Sequence, residues 1–471
     1  MPLPASRLPA SVCAGHPDTA RVGLEILRAG GSAADAACAM VLAGCVAETI
    51  FTGLGGGGFA TLFDAESGQV TCLDFFVAVP GLDGTTAGPA RSIEVSFNGV
   101  SVPYTMGGPT VAVPGTPAGV AELHRRFGRL DWAAVVTPAM ALASAGASFP
   151  AEHAALLPDI SPAMIPGAGA DAYWRGDAET GRLLLAGEVL LHPGLDGTLE
   201  AYRDHGAAAL MTGRFVDETV QMVRDDGGAL SAADFAAYRV RELTPGLFAV
   251  GEDLVRVRDN DLDGLGVTLA ALDADAVGRG GSARARTLVR ALRAADRRAE
   301  TTSLAAVDPQ GNACAVTHSL GLGSGVWVDG VHANSMLGEG ELIRGAMVPG
   351  ERMPSMMVPL VVTDRDGALK VVGGAAGGSR IRPALVTTLA GVLVEGRPVT
   401  DAVAAPRLVA TPDTVHLEPG FAPEVVHALQ ENGDRVVQWP ARAPYFGGVA
   451  MIAADGPAAD PRRGGLALTL D

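Results

Sequence analysis

Residues 300–319 read ETTSLAAVDPQGNACAVTHS, two β-rich runs on either side of a turn. Pro309 and Gln310 suit the centre of a type I turn, and Gly311 suits the left-handed position that closes a three-residue hairpin loop. Asp308 then faces Asn312. Counting outward along the ladder sets Thr301 opposite Ser319, two hydroxyls on one face of a strand pair. A threonine hydroxyl is a weak nucleophile until a base takes its proton, and an N-terminal threonine carries that base as its own α-amine. The reference pKa of such an amine, about 7.7 to 8.0, leaves a useful neutral fraction near neutral pH. Freeing it requires the Glu300–Thr301 bond to break, by attack of the Thr301 hydroxyl on the preceding carbonyl. The products are a 300-residue and a 171-residue chain.

Downstream, strands are expected over Val358–Thr363 and Ala368–Val372 around an Asp366-Gly367 turn. The run GGAAGGSR, residues 373–380, then leads into a helix over about Pro383–Val394. Free backbone N–H groups at a helix start favour negative charge, so Gly377 and Gly378 are candidates for an oxyanion hole. Each of these features has an ordinary structural reading when taken alone. A Thr-Thr before a strand is most often scaffold, and a Gly-Gly before a helix is most often a turn.

Upstream, helices are expected over 17–29 and 32–47, the second capped by Ser32 with Asp35 three residues on. GLGGGGF, residues 53–59, lets the backbone approach a neighbour closely, and a hairpin turning at Glu66-Ser67-Gly68 follows. Two further helices are read near Val120, Leu123 and Phe127 and from Asp131 to Gly146, and 150–238 is mainly helical, with Ser231 as a cap. The 245–300 segment is charged, Ala-rich and weakly patterned. It reads as surface helix around Ala283–Arg297 and as a place for a domain edge.

A formal charge of −17 argues against nucleic acid and anionic membrane as partners, which leaves a small molecule. Five cysteines without paired spacing read as buried apolar residues in a reducing compartment. The N-terminal residues carry no apolar run of signal-peptide length, and the longest uncharged apolar run, Ala36–Ala47, is too short to span a bilayer. A cytoplasmic location is the expectation. No His and acidic residues cluster at ligand spacing, so neither a metal nor an organic cofactor is expected.

Taken together, the motifs resemble the gamma-glutamyltransferase family of Ntn-hydrolases. They are AGGSAADAACA, GLGGGGF, VPGTPAG (113–119), the 300–319 hairpin, GSGVWV (323–328), AAGGSRI (375–381), AVAAPRL (402–408) and DPRR (460–463). The resemblance implies an α/β (α+β) fold, the four-layer αββα sandwich. It implies a large-subunit segment 1–300 and a small-subunit segment 301–471 that associate as one unit after self-cleavage. It also implies Thr301 as nucleophile, Ser319 as its supporting hydroxyl, and Gly377 with Gly378 as the oxyanion hole. Other positions depart from the family pattern. The arginine that grips the substrate carboxylate aligns with Phe76, so a bidentate clamp is lost. The acidic pair that meets the substrate amine aligns with Leu337 and Gly338, beside Asn334 and Ser335, with Glu339 close by. A serine pair becomes Ser355 and Met356. Phe76, Asn334, Ser335, Ser355 and Met356 are therefore the expected substrate contacts, for a more apolar acyl group than glutamyl, in secondary metabolism. Two other readings remain at this point: a C–C bond hydrolase like the relatives in 4-alkyl-L-proline biosynthesis (lincosamide, pyrrolobenzodiazepine and hormaomycin type), and a non-catalytic scaffold homologue.

Overall fold

The computed structural model describes residues 8–471 apart from 98–99, 178, 259, 261–263, 294–300, 341 and 344. At its centre is the expected hairpin, Thr302–Val307 against Ala313–Ser319. Thr302 pairs with His318 and Ser303 with Thr317, the register that places Thr301 at the level of Ser319. The turn is as its residues dictate, with Gly311 at φ +86°. Asp308 Oδ1 accepts from the N–H groups of Gln310 and Asn312, both at 3.0 Å, and Oδ2 accepts from Ala33 N at 3.2 Å. One buried carboxylate thus fastens the hairpin tip to a helix start. Asp308→Ala is expected to strip acceptors from several buried donors at once. Its cost is about 2–3 kcal/mol of unfolding free energy, read as a lower denaturant midpoint at unchanged slope.

Two antiparallel sheets are built around this hairpin. The first runs 241–243, 70–75, 57–63, 313–319, 302–307, 11–14, 466–469, and the second runs 245–250, 253–258, 360–363, 369–376, 448–453, 456–459. Period-two alternation explains why the hairpin is apolar on both sides. Ala305, Val307, Ala313 and Ala315 meet Val361, Val372 and Ile452 of the second sheet. Leu304, Ala306, Cys314 and Val316 pack instead on the helix layer. That layer is led by Ala33–Ala47, whose fifteen residues are all buried, and Pro17–Arg28 lies beside it. Ser32 closes the expected capping box, Ser32 N donating to Asp35 Oδ2 at 2.8 Å and Asp35 N to Ser32 Oγ at 3.1 Å. Helices Leu265–Ala270, Gly281–Arg293 and Ile381–Leu389 cover the second sheet, completing four layers αββα. All five cysteines are free and buried, and burial raises the thiol pKa of Cys13, Cys45 and Cys314 far above its usual value.

Two expectations need correction. Residues 245–258, read as weakly patterned and as a place for a domain edge, instead form a hairpin, Pro245–Val250 with Asp253–Arg258, and Leu254–Arg256 pair with Val361–Thr363. The segment is therefore integral to the second sheet. The 383–394 helix begins earlier, at Ile381, and passes at Ala390–Val394 into a wider π turn. Among the described residues, no helix is long and apolar enough to cross a membrane.

Candidate active site

Thr301 stands just before its strand and is 2% exposed. Its Oγ1 accepts from Gly377 N at 3.0 Å and Gly378 N at 3.5 Å. Those amides converge because strand Leu369–Ala376 ends in two successive left-handed residues, φ +115° at Gly377 and +59° at Gly378, before the chain turns into the Ile381 helix. Only glycine adopts such a pair without strain, and the turn aims adjacent N–H groups into one concavity. A carbonyl carbon attacked by Oγ1 would carry its oxygen to the same donors. Glu300, the other half of the bond, lies outside the described residues.

Arg463, part of the DPRR motif but given no role by sequence reasoning, reaches the same residue. Its Nη1 donates to Thr301 O at 3.2 Å, and its guanidinium lies 4.5 Å from the Phe51 ring centroid. Arg462 and Arg407, from the DPRR and AVAAPRL motifs, are buried in a network with Asp460 and Glu418 that fixes this turn.

Ser319 ends its strand level with Thr301, and its Oγ accepts from Gly321 N at 3.0 Å. His318, one residue earlier, points to the opposite face of the sheet. There its Nδ1 meets Thr52 Oγ1 at 2.6 Å, and burial pushes its pKa down to about 3. A neutral imidazole on the far face is not placed to take the Thr301 proton.

The expected substrate contacts divide in two. Phe76 stacks on Phe59 with centroids 5.7 Å apart, and both belong to one buried apolar cluster with Met336, Met353, Met356 and Ala375. Phe76 and Met356 are thus buried in the core, with the Arg258 guanidinium 4.0 Å over the Phe59 ring and Arg352 Nη1 donating to Phe76 O at 2.6 Å. The polar residues are engaged with the protein itself. Asn334 donates to the carbonyls of Gly55 and Ala112, each at 2.8 Å, and accepts from Ala112 N and Met336 N. Ser355 Oγ accepts from Met357 N at 3.1 Å. Ser335 Oγ accepts from Gly323 N at 3.0 Å and shares a 2.5 Å hydrogen bond with Tyr104, whose hydroxyl donates to Glu339 at 3.3 Å. Tyr104 comes from a hairpin that sequence reasoning did not single out, Arg91–Phe97 with Val100–Met106.

A gamma-glutamyltranspeptidase family model matches residues 19–255 and 274–470. The glutathione hydrolase proenzyme of Pseudomonas aeruginosa is 28% identical, over 96% of this chain and 93% of its own. The acylase ACY 1 proenzyme of Pseudomonas sp. (strain SE83) is 26% identical, over 96% and 90%. Among solved structures, cephalosporin acylase from Bacillus halodurans superposes with a TM-score of 0.79 at 22% identity, over 99% of this chain and 96% of that one.

Proposed function

Because the chain belongs to the gamma-glutamyltranspeptidase family, we propose that it is a self-processing hydrolase that works through an acyl-threonine on a largely apolar, non-glutamyl acyl group. The observation that carries this reading is the pair of amides, Gly377 and Gly378, trained on Thr301 Oγ1 at the end of a buried strand. In the first reaction Oγ bonds to the carbonyl carbon of residue 300 while the C–N bond to Thr301 breaks and the hydroxyl proton passes to nitrogen. Water then hydrolyses the ester, leaving a carboxyl on residue 300 and a hydroxyl with a free α-amine on Thr301. In the mature reaction that amine takes the Oγ proton as Oγ attacks the substrate carbonyl, the leaving group departs with a proton, and water releases the acid.

The relatives, a glutathione hydrolase and an acylase, span the choice of substrate. The family's carboxylate-binding arginine is replaced here by Phe76, which stacks on Phe59 in an apolar cluster with Met356, and the guanidiniums beside that cluster, Arg258 and Arg352, are engaged with backbone carbonyls; this supports the acylase side. The test compares butyryl and γ-glutamyl p-nitroanilides on protein whose intact mass shows the 300- and 171-residue chains. The butyryl compound is expected to lead by about 100-fold in kcat/KM, the worth of one lost charge-assisted pair. Equal or better turnover of the glutamyl compound would overturn the apolar reading. Cleavage of a carbon–carbon bond by the same Thr301 would replace it with the C–C hydrolase reading.

A further inference from the structure

Beneath Thr301, on the helix side of the strand, lies a buried carboxylate that the mechanism above does not use. Glu48 is 2% exposed and follows the Ala33–Ala47 helix directly, at the negative end of the helix dipole. Its two oxygens each accept from one threonine: Oε1 from Thr19 Oγ1 at 2.9 Å and Oε2 from Thr302 Oγ1 at 2.7 Å. Among the described residues it forms no ion pair. Glycines make room for it. A Cβ at residue 15 would stand 2.6 Å from Glu48 Oε2 and 3.1 Å from Thr302 Oγ1, and one at residue 44 would stand 3.4 Å from Oε1. A buried anion at a helix C-terminus is expensive unless a cation appears beside it.

Such a cation is what self-cleavage makes. We propose that Glu48, through Thr302, is the built-in counter-charge for the Thr301 nitrogen, from its protonation as the peptide bond breaks to its life as the α-amine of the mature enzyme. The inference rests on the self-cleavage reading above. Among the described residues, the other ionisable side chain bonded to Thr301 or Thr302 is a cation. Arg463 sits at Thr301 O, where its charge opposes a second positive charge nearby. His318 is held uncharged by burial, and its Nε2 has no hydrogen-bond partner among the described residues. His153, behind Phe51, is pushed well below its usual pKa chiefly by burial, and His16 packs against it. Glu48, held to the strand through Thr302, is an anion placed to keep the amine's pKa near the working range. Without it, the amine would titrate lower and be a weaker base.

Three proteins test this: wild type, Glu48→Gln and Glu48→Asp, each shown to be folded by its thermal transition. Cleavage is followed by intact mass, and the amine pKa by competitive acetylation of the 301–471 chain with acetic anhydride across pH. With Glu48→Gln, cleavage is expected to slow at least tenfold, and the amine pKa in the cleaved fraction to fall by about one unit, as loss of a nearby opposite charge dictates. Glu48→Asp should recover most of both. A Glu48→Gln protein that stays whole while Glu48→Asp cleaves also supports the proposal. Unchanged cleavage and pKa in Glu48→Gln, or folded Gln and Asp variants that are equally inert, would overturn it. If wild type itself stays one chain, the self-cleavage reading fails instead.

Discussion

Replacing Thr301 with alanine is expected to leave the 471-residue chain in one piece and to reduce acyl turnover by at least about a thousandfold. The substitution removes the oxygen that two backbone amides hold in place, and the neighbouring described hydroxyls, Ser319 included, are engaged elsewhere. Ser303 is on the same face but is engaged with Thr317 Oγ1 at 3.0 Å and lies inside the ladder. Thr302 points to the other face. Packing at position 301 changes by little more than a methyl and a hydroxyl, so the thermal transition should stay close to that of an uncleaved chain. Intact mass and a p-nitroanilide assay read both effects. Clean cleavage at the same bond in the alanine variant would remove Thr301 from the chemistry.

The second large effect is expected at the amide pair. Alanine at position 377 must hold φ near +115°, and its Cβ would lie 3.0 Å from Gly447 Cα and 3.2 Å from an Arg463 guanidinium nitrogen. Relief comes by rotating the peptide, which swings the Gly377 N–H away from Oγ1. Removing one such donor costs about 100- to 1000-fold in kcat. Gly377→Ala should therefore lower kcat by that amount while KM moves little, with a backbone penalty of about 1–3 kcal/mol in stability. An unchanged kcat would mean that these amides do not meet the reacting oxygen.

The hairpin was legible because its turn chemistry is local. Asp308, Pro309 and Gly311 specify the loop, the loop fixes the register, and the register delivers Thr301 to Ser319 without knowledge of the rest of the chain. The helix starts at Pro17 and Ser32 were legible for the same reason. The Pro245–Arg258 hairpin was not. Its outer strand lies at a sheet edge and exposes Leu247, while the inner strand buries a charged residue, Arg258, on the face where Leu254 and Arg256 stay half-buried. Stacking over Phe59 at 4.0 Å and bonds to the carbonyls of Ser355 and Met357 accommodate that charge, and all three partners are remote in sequence. Glu48 escaped notice for a related reason. Its meaning depends on Thr302, more than 250 residues away, and a glutamate after an apolar helix reads locally as solvated.

The first sheet also governs how the molecule can be taken apart. Strand Ser11–Ala14 lies between Thr302–Val307 and Leu466–Thr469, so a piece from before residue 301 is clasped on both edges by pieces from after it. Once residues 300 and 301 are disconnected, pulling the halves apart means tearing open those ladders, so dissociation and denaturation become one event. Reassembly after denaturant is then a second-order encounter whose rate rises with protein concentration. The uncut Thr301→Ala chain, refolding alone, should be indifferent to dilution.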